Sequence, residues 1–384
     1  MKKNFYSTIA ALAMCCAMVA CSSDDPKNEN SGDTADTKNL DYSTANANAW
    51  HNYSSRVAKL LVDDANSLYE AWNVSYNGGE SYAETFRRHN NSTYASAINC
   101  IEEILDGCSS IADEVGNAKI GDPYNLYMSG KHEEALYAVE SWYSWHSRED
   151  YANNIASIRN SYACTYNGKS GDHSMSALVK SIDPALDAKV NAAIDGAASA
   201  ILAIPSPFRN NINSQEAREA MDACAALEEV FDKDLKSFFN TLSGHDGKLD
   251  AIVNDYVDYV ILPTYIDLRD KNAALLAAVR DLGEKRTDAA FEAACEAWLD
   301  ARGPWEMSEA FLFGPVDALG LDPNMDSWPL DQDAIVNHLT SGNLDDLVWG
   351  DGDDDVTVES AQNVRGFHTL EFLLFKDGKA RTVK

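Results

Sequence analysis

An all-α fold of packed helical bundles is what this chain predicts, and three observations carry the expectation. Apolar residues recur at three- and four-residue intervals over long stretches, strand-type alternation bounded by turns is nearly absent, and helix-favouring Ala, Leu, Asp and Glu are abundant. A length of 384 residues, with 45% hydrophobic and 24% charged, allows a sizeable core and suits two domains or one duplicated unit.

The chain opens on something other than fold. Lys2 and Lys3 precede an apolar run over residues 9–20, the charged and hydrophobic parts of an export signal, and the run is too short for a stable membrane span. Residues 1–20 are therefore expected to be removed. Met18-Val19-Ala20-Cys21 resembles a bacterial lipobox, with Met18 where Leu is usual, so Cys21 is expected to carry lipid. Residues 21–40 read as a polar tether, and Ser22-Ser23-Asp24-Asp25 resembles the surface-export signals of some Gram-negative lipoproteins. The predicted location is the cell envelope, anchored to the outer membrane on its periplasmic side or at the cell surface.

Residues 50–72 begin the helical part, with Val57, Leu60, Leu61, Ala65, Leu68 and Trp72 spaced to fill one buried face. The same periodicity marks residues 93–112, 147–163, 184–204, 214–242, 249–282 and 287–301. Ser147 followed by Asp150 resembles a capping box, Pro184 suits a first helical turn, and Pro263 should kink or split its helix. Gly-, Pro- and Asp-bearing segments at 116–123, 167–173, 303–304, 314–328 and 349–355 read as connections. The polar cluster at 243–247 divides the chain into a first section, 41–244, and a second, 245–384.

Sixty-one acidic against 31 basic residues give a formal charge of -30, which excludes a nucleic-acid partner, because phosphate recognition needs basic surface. Cations suit such a chain better, although the same acidity also keeps a secreted helical protein soluble. Of the 8 cysteines, Cys15 and Cys16 leave with the signal and Cys21 is the lipid site. Cys100, Cys108, Cys164, Cys224 and Cys295 show no C-x-x-C spacing, so zinc-thiolate and multi-disulfide frameworks are not indicated. Buried small hydrophobes are expected, with one disulfide left open.

The sharpest local feature is Arg365-Gly366-Phe367-His368-Thr369-Leu370-Glu371-Phe372-Leu373-Leu374-Phe375. On a helix, His368 and Glu371 share a face and are close enough to ligate one ion or to hydrogen-bond each other. Gly366 permits a close backbone approach or an unusual turn at the helix start. A His and a Glu in so apolar a run need partners, and a core histidine bonded to a neighbouring carboxylate competes with a metal ligand as the reading. No H-E-x-x-H signature occurs, since His132-Glu133 leads to Leu136 where a second histidine would stand.

Gly366-x-His368-x-x-Glu371 with Phe372-Leu373-Leu374 resembles the G-x-H-x-x-E signature of imelysin-like proteins. The resemblance extends to Ala297-Trp298, Ala301-Arg302, Glu309-Ala310-Phe311 and Trp328-Pro329-Leu330-Asp331 before the signature. Earlier still stand Leu61-Val62-Asp63-Asp64, Lys119-Ile120-Gly121-Asp122-Pro123, Glu140-Ser141 with Ser144, Ser147 and Asp150, Arg159-Asn160, and Asp183-Pro184. These resemble segments that usually follow the signature, so the order is that of a circular permutation, and residues near Asn48 and Lys376 should meet at the surface.

The resemblance implies two related four-helix bundles with a site where they meet, and iron-linked export or uptake. Gly366, His368 and Glu371 are then the motif, His368 and Glu371 the candidate ligands for iron or another divalent ion such as zinc, and Glu140, Ser144, Asp150, Arg159, Arg302 and Glu309 the candidate neighbours. Partners would be a metal ion or iron-containing ligand and envelope uptake proteins. A zinc metallopeptidase is the second reading, although catalytic zinc needs three protein ligands and an open water position. A module for haem or a surface partner is the third. Trp298, Trp305 and Trp328 read as core rather than stacking groups.

Overall fold

The periodicity of residues 50–72 becomes α1, Ala47–Asn73, which buries Trp50, Val57, Leu61, Ala65, Leu68 and Trp72 along one stripe. A computed structural model describes residues 40–350 and 352–384; the expected signal, the lipid site at Cys21 and the tether up to residue 39 lie outside the described residues. After α1 come α2 (Tyr82–Arg88), α3 (Ala97–Asp113), α4 (Gly121–Met128), α5 (His132–Tyr137), α6 (Ser147–Ala163), α7 (Met175–Ile182), α8 (Pro184–Ala203) and α9 (Gln215–Glu229). They are followed by α10 (Lys236–Thr241), α11 (Asp246–Tyr256), α12 (Leu262–Lys285) and α13 (Asp288–Glu306). Short helices α14 (Pro315–Ala318), α15 (Leu321–Asp326), α16 (Gln332–Ser341) and α17 (Asp355–Gln362) lead to α18 (Gly366–Leu374). Among the described residues, strand is confined to two hairpins, Thr165–Tyr166 with Lys169–Ser170 and Phe375–Lys376 with Lys379–Ala380.

The long helices close into two rings of four. In one, α1 packs on α12, α12 on α13, α13 on α18, and α18 back on α1; in the other, α3 packs on α9, α9 on α8, α8 on α6, and α6 back on α3. Contacts of α13 with α6, and of the 3-10 turn Glu309–Phe311 with α3 and α6, join them. The division at 243–247 is therefore not a division in space. Helix α1, from the first section, belongs to the ring of α12, α13 and α18, and α11, from the second, packs on α2 and α3. Both rings lie within one compact unit, Thr37–Lys384.

Several local expectations are corrected by main-chain continuity. Residues 116–123 are not a connection, because α3 runs on through a π-helical stretch, Glu114–Ile120, into α4. Gly303 and Pro304 lie inside α13, with Pro304 buried. Ser147 does not cap α6; its hydroxyl donates to the Glu140 carbonyl at 2.6 Å, and Asp150 is taken up elsewhere. Pro184 does start α8, with Asp183 accepting from the amides of Ala185 and Leu186. Pro263 follows a π-helical stretch, Val257–Ile261, where the wider turn carries the chain past the donor that proline lacks. All five cysteines from Cys100 to Cys295 are buried and free.

The ends of the described chain meet. The Thr44 amide donates to the Lys384 carbonyl at 3.3 Å, Lys376 Nζ lies 2.6 Å from Asp41, and Arg381 donates to the Leu40 carbonyl at 2.9 Å. Such closeness is the geometric condition that an exchange of segment order demands.

Candidate functional site

Helix α18 is buried at every residue, and its setting explains how a nine-residue helix stands there. Four C-terminal carbonyls of a helix lack partners inside it. Here Phe372 accepts from Arg381 Nε at 3.0 Å, Leu373 from Trp50 Nε1 at 2.8 Å, and Leu374 from the Arg381 amide at 2.9 Å. At its start, Gly366 has φ +84°, and a Cβ there would stand 2.5 Å from the Met325 carbonyl oxygen, so both conformation and space require glycine. This close approach seats α18 against the end of α15 and brings Asp326 to His368.

His368 is 0% exposed and held from both sides. Its Nδ1 lies 3.1 Å from Glu371 Oε2 and its Nε2 3.1 Å from Asp326 Oδ1, while the Trp328 ring meets the imidazole edge-on at 4.8 Å. Burial and the Arg302 guanidinium, 3.4 Å from Nε2, disfavour a proton on this ring, but the two carboxylates outweigh them and push it up to about 9. His368 is thus an imidazolium donating from both nitrogens. Glu371 turns its other oxygen to a tight turn, accepting from the amides of Tyr143 at 3.1 Å and Ser144 at 2.7 Å and from the Ser144 hydroxyl at 2.7 Å.

Arg302, on α13, is the second cation and is 1% exposed. It pairs with Asp326 and with Glu306 one turn along its own helix, and its Nε lies 3.8 Å from Asp150 Oδ2. Burial opposes ionisation of Asp326, but Arg302 and His368 hold it well below the usual carboxylate range, and Trp305 Nε1 donates to it at 2.7 Å. Asp150 is likewise held low against burial by His146, 3.0 Å away, and Arg302, with Ser141 donating as well. Glu306 goes the other way, because burial outweighs its share of Arg302 and pushes it up to about 8.

Beyond this cluster lies a group of acidic residues around Lys119. Lys119, 6% exposed on the π-helical stretch, reaches Glu140 at 3.0 Å and Glu114 at 3.5 Å. Glu309 is 9% exposed and makes no hydrogen bond or ion pair among the described residues; burial and the charges of Glu114, Glu306 and Asp322 push its carboxyl well above the usual range despite Lys119. Asp322, one turn before Asp326 on α15, is exposed, and its acidic neighbours raise its carboxyl. Gly107 of α3 admits the turn that carries Glu309, since a Cβ there would stand 2.1 Å from the Ala310 carbonyl oxygen.

The structure thus brings Gly366, His368, Glu371, Ser144, Arg302 and Asp150 into one cluster and puts Glu140 and Glu309 near Lys119 beside it. Arg159 does not belong: it pairs with Asp195 at 2.7 Å on the surface. Trp298 and Trp305 are core, as expected, while Trp328 is half-buried against His368. Sequence reasoning missed Asp326 and Glu306 and gave Lys119 no role. The i,i+4 spacing of Arg302 and Glu306 was the available signal for one of them.

His368 and Glu371 do not fit an inner pair of metal ligands in this arrangement. Each imidazole nitrogen already faces a carboxylate, a guanidinium flanks Nε2, and an ion there would have to displace them. Among the described residues no three His, Cys, Asp or Glu side chains are arranged to hold a metal ion directly.

Known proteins place this architecture. A crystal structure from Bacteroides ovatus, described as an imelysin peptidase, is 58% identical, covers 91% of this chain and 100% of its own, and superposes with a TM-score of 0.89. Iron-regulated protein A of Synechococcus elongatus is 32% identical over 141 residues, 35% of either chain, so this chain spans about a third of the length of that curated relative. The imelysin family model matches residues 26–233 and 261–384, to either side of the polar 243–247 connection, and the chain belongs to the imelysin family.

Proposed function

We propose that this protein is an extracytoplasmic accessory in iron uptake that holds a metal cation among the acidic residues around Glu309, with the neighbouring His368 cluster as the structural keystone. Glu309 carries the reading: it is 9% exposed, makes no hydrogen bond or ion pair among the described residues, and has the acids Glu114, Glu306 and Asp322 near it against the single cation Lys119, so it needs a further cation or a proton. Kinship with an iron-regulated protein supports iron as the ion. An ion taken up there keeps part of its water shell, since the carboxylates do not converge for direct ligation by three of them. The peptidase reading finds no support in the geometry, because His368 offers neither a free nitrogen nor a companion set of three ligands with an open position.

Calorimetric titration with Fe(II) and Mn(II) tests this. The parent should bind, Glu309→Gln combined with Asp322→Asn should weaken binding at least tenfold, and incubation with peptide substrates should yield no metal-dependent cleavage. Equal affinity in parent and variant overturns the assignment.

The same reading includes the lipid anchor at Cys21, supported by the lipobox-like run that precedes it. In cells, Cys21→Ser should move the protein from the membrane to the soluble fraction. Retention of the variant in the membrane contradicts the anchor.

A further inference from the structure

Among the described residues Lys119 is the one buried lysine. Its main chain is fixed. The π-helical stretch Glu114–Ile120 packs on α9 so closely that a Cβ at Gly116 would stand 2.8 Å from the Cys224 Cβ, and Tyr151 donates to the Lys119 carbonyl at 3.3 Å. Its side chain has two anchors at different depths. Inward, Nζ lies 3.1 and 3.0 Å from the two carboxylate oxygens of half-buried Glu140; outward, it lies 3.5 Å from Glu114, which is exposed. Burial opposes a charge on this amine, but Glu140, Glu114, Glu309 and Glu306 outweigh it and keep the ammonium ionised. One positive charge does not satisfy that group, because Glu309, 9% exposed, still has neither hydrogen bond nor ion pair among the described residues.

We propose that Lys119 is a tethered competitor for the cation site: its ammonium holds Glu140 until a divalent ion arrives, then swings outward to Glu114 and leaves Glu140 and Glu309 to the ion. The inference rests on the cation binding proposed above and adds to it a means of selection. Lysine suits the part, since its charge is a compact point on a flexible stem, whereas a guanidinium fork is tied to one planar geometry. A half-buried carboxylate such as Glu140 is costly to leave unpaired, and the tethered amine keeps it paired whenever no ion is bound. The exchange favours charge. A monovalent ion only replaces the one charge it displaces, while a divalent ion brings a second to Glu309.

Calorimetry with Mn(II) on the parent and on Lys119→Met, which keeps an apolar stem and removes the charge, tests the exchange. The variant should bind Mn(II) at least about tenfold more tightly, since a positive neighbour is gone from the site. Equal or weaker affinity in the variant, with the parent binding, overturns the exchange and leaves the cation site standing. Binding by the variant alone shows an ammonium that never yields, which also overturns the exchange, and binding by neither overturns both readings. A second measurement needs no variant and decides the matter where Lys119→Met does not fold. Acetylation of the parent by acetic anhydride, read at each lysine by mass spectrometry, should spare Lys119 in metal-free buffer and modify it once Mn(II) is saturating, whereas potassium at matched ionic strength should leave it protected. Protection that Mn(II) does not lift, or that potassium lifts equally, overturns the proposal.

Discussion

Replacing Arg302 with Met should cost about 3–5 kcal/mol of folding stability, the range for removing one partner from a buried ion pair. Three carboxylates, Asp150, Glu306 and Asp326, share this guanidinium, and α6, α13 and α15 supply one each, so its loss leaves charge uncompensated across both rings. A domain's whole stability is of the order of 5–15 kcal/mol, so the variant stands near the threshold of folding. Arg302→Lys should recover only part of the loss, because an ammonium cannot present the planar fork that reaches Asp326 and Glu306 together. Chemical denaturation with circular dichroism measures both, and a variant as stable as the parent contradicts the keystone role. Where Arg302→Met fails to express folded, the lysine variant still gives the comparison.

The second large effect is in pH. The folded-state value of about 9 for His368 lies above its ordinary 6.5, so its contribution is complete below 6.5 and is lost as pH rises through 9. A raised carboxyl works in the same direction: Glu306, at about 8, favours the folded chain most while protonated and withdraws that support as pH climbs from 4.5 through 8. Stability should therefore fall between about pH 6.5 and 9, by as much as about 3 kcal/mol from His368 alone, since each tenfold gain in proton affinity on folding is worth about 1.4 kcal/mol. Asp326 is held below 3.8, so its support disappears only in stronger acid. Urea midpoints from pH 6 to 10 give the profile, and His368→Gln should flatten it. A parent whose stability is level or rises over that interval contradicts the imidazolium assignment.

Much of this is legible in the chain, and the failures share a physical cause. Helices α6 and α8 fall within a residue of the expected limits because Ser147 to Ala163 and Pro184 to Ala203 are bounded by strong local signals: a turn on either side, and a proline with its Asp cap. The expected breaks at Gly116 and Gly303 do not occur because tertiary packing keeps a glycine or proline inside a helix when burial supports it, and propensity is only a weak local preference. Two rings cannot be told from two sections, since periodicity identifies a buried face but not the helix it faces. The site divides in the same way. His368, Glu371 and Ser144 follow from a motif and a resemblance, and they are in contact. Asp326 escapes such reasoning because it lies in a stretch dense in turn residues, and only the close approach of Gly366 to Met325 brings that stretch to the imidazole.

The meeting of the two ends also has a consequence for synthesis. Trp50 donates to Leu373, Tyr53 to Val364 and Arg365 to Asp64, contacts separated by 323, 311 and 301 residues along the chain. A polypeptide emerging from its N-terminus can close the ring of α3, α6, α8 and α9 early, but α1 has no complete partner surface until almost the last residue has appeared. Its apolar stripe, with Trp50, Leu61, Leu68 and Trp72, must wait exposed through most of that interval. The first long helix made is among the last to be buried, and a holding chaperone acting on this chain would find its binding surface there.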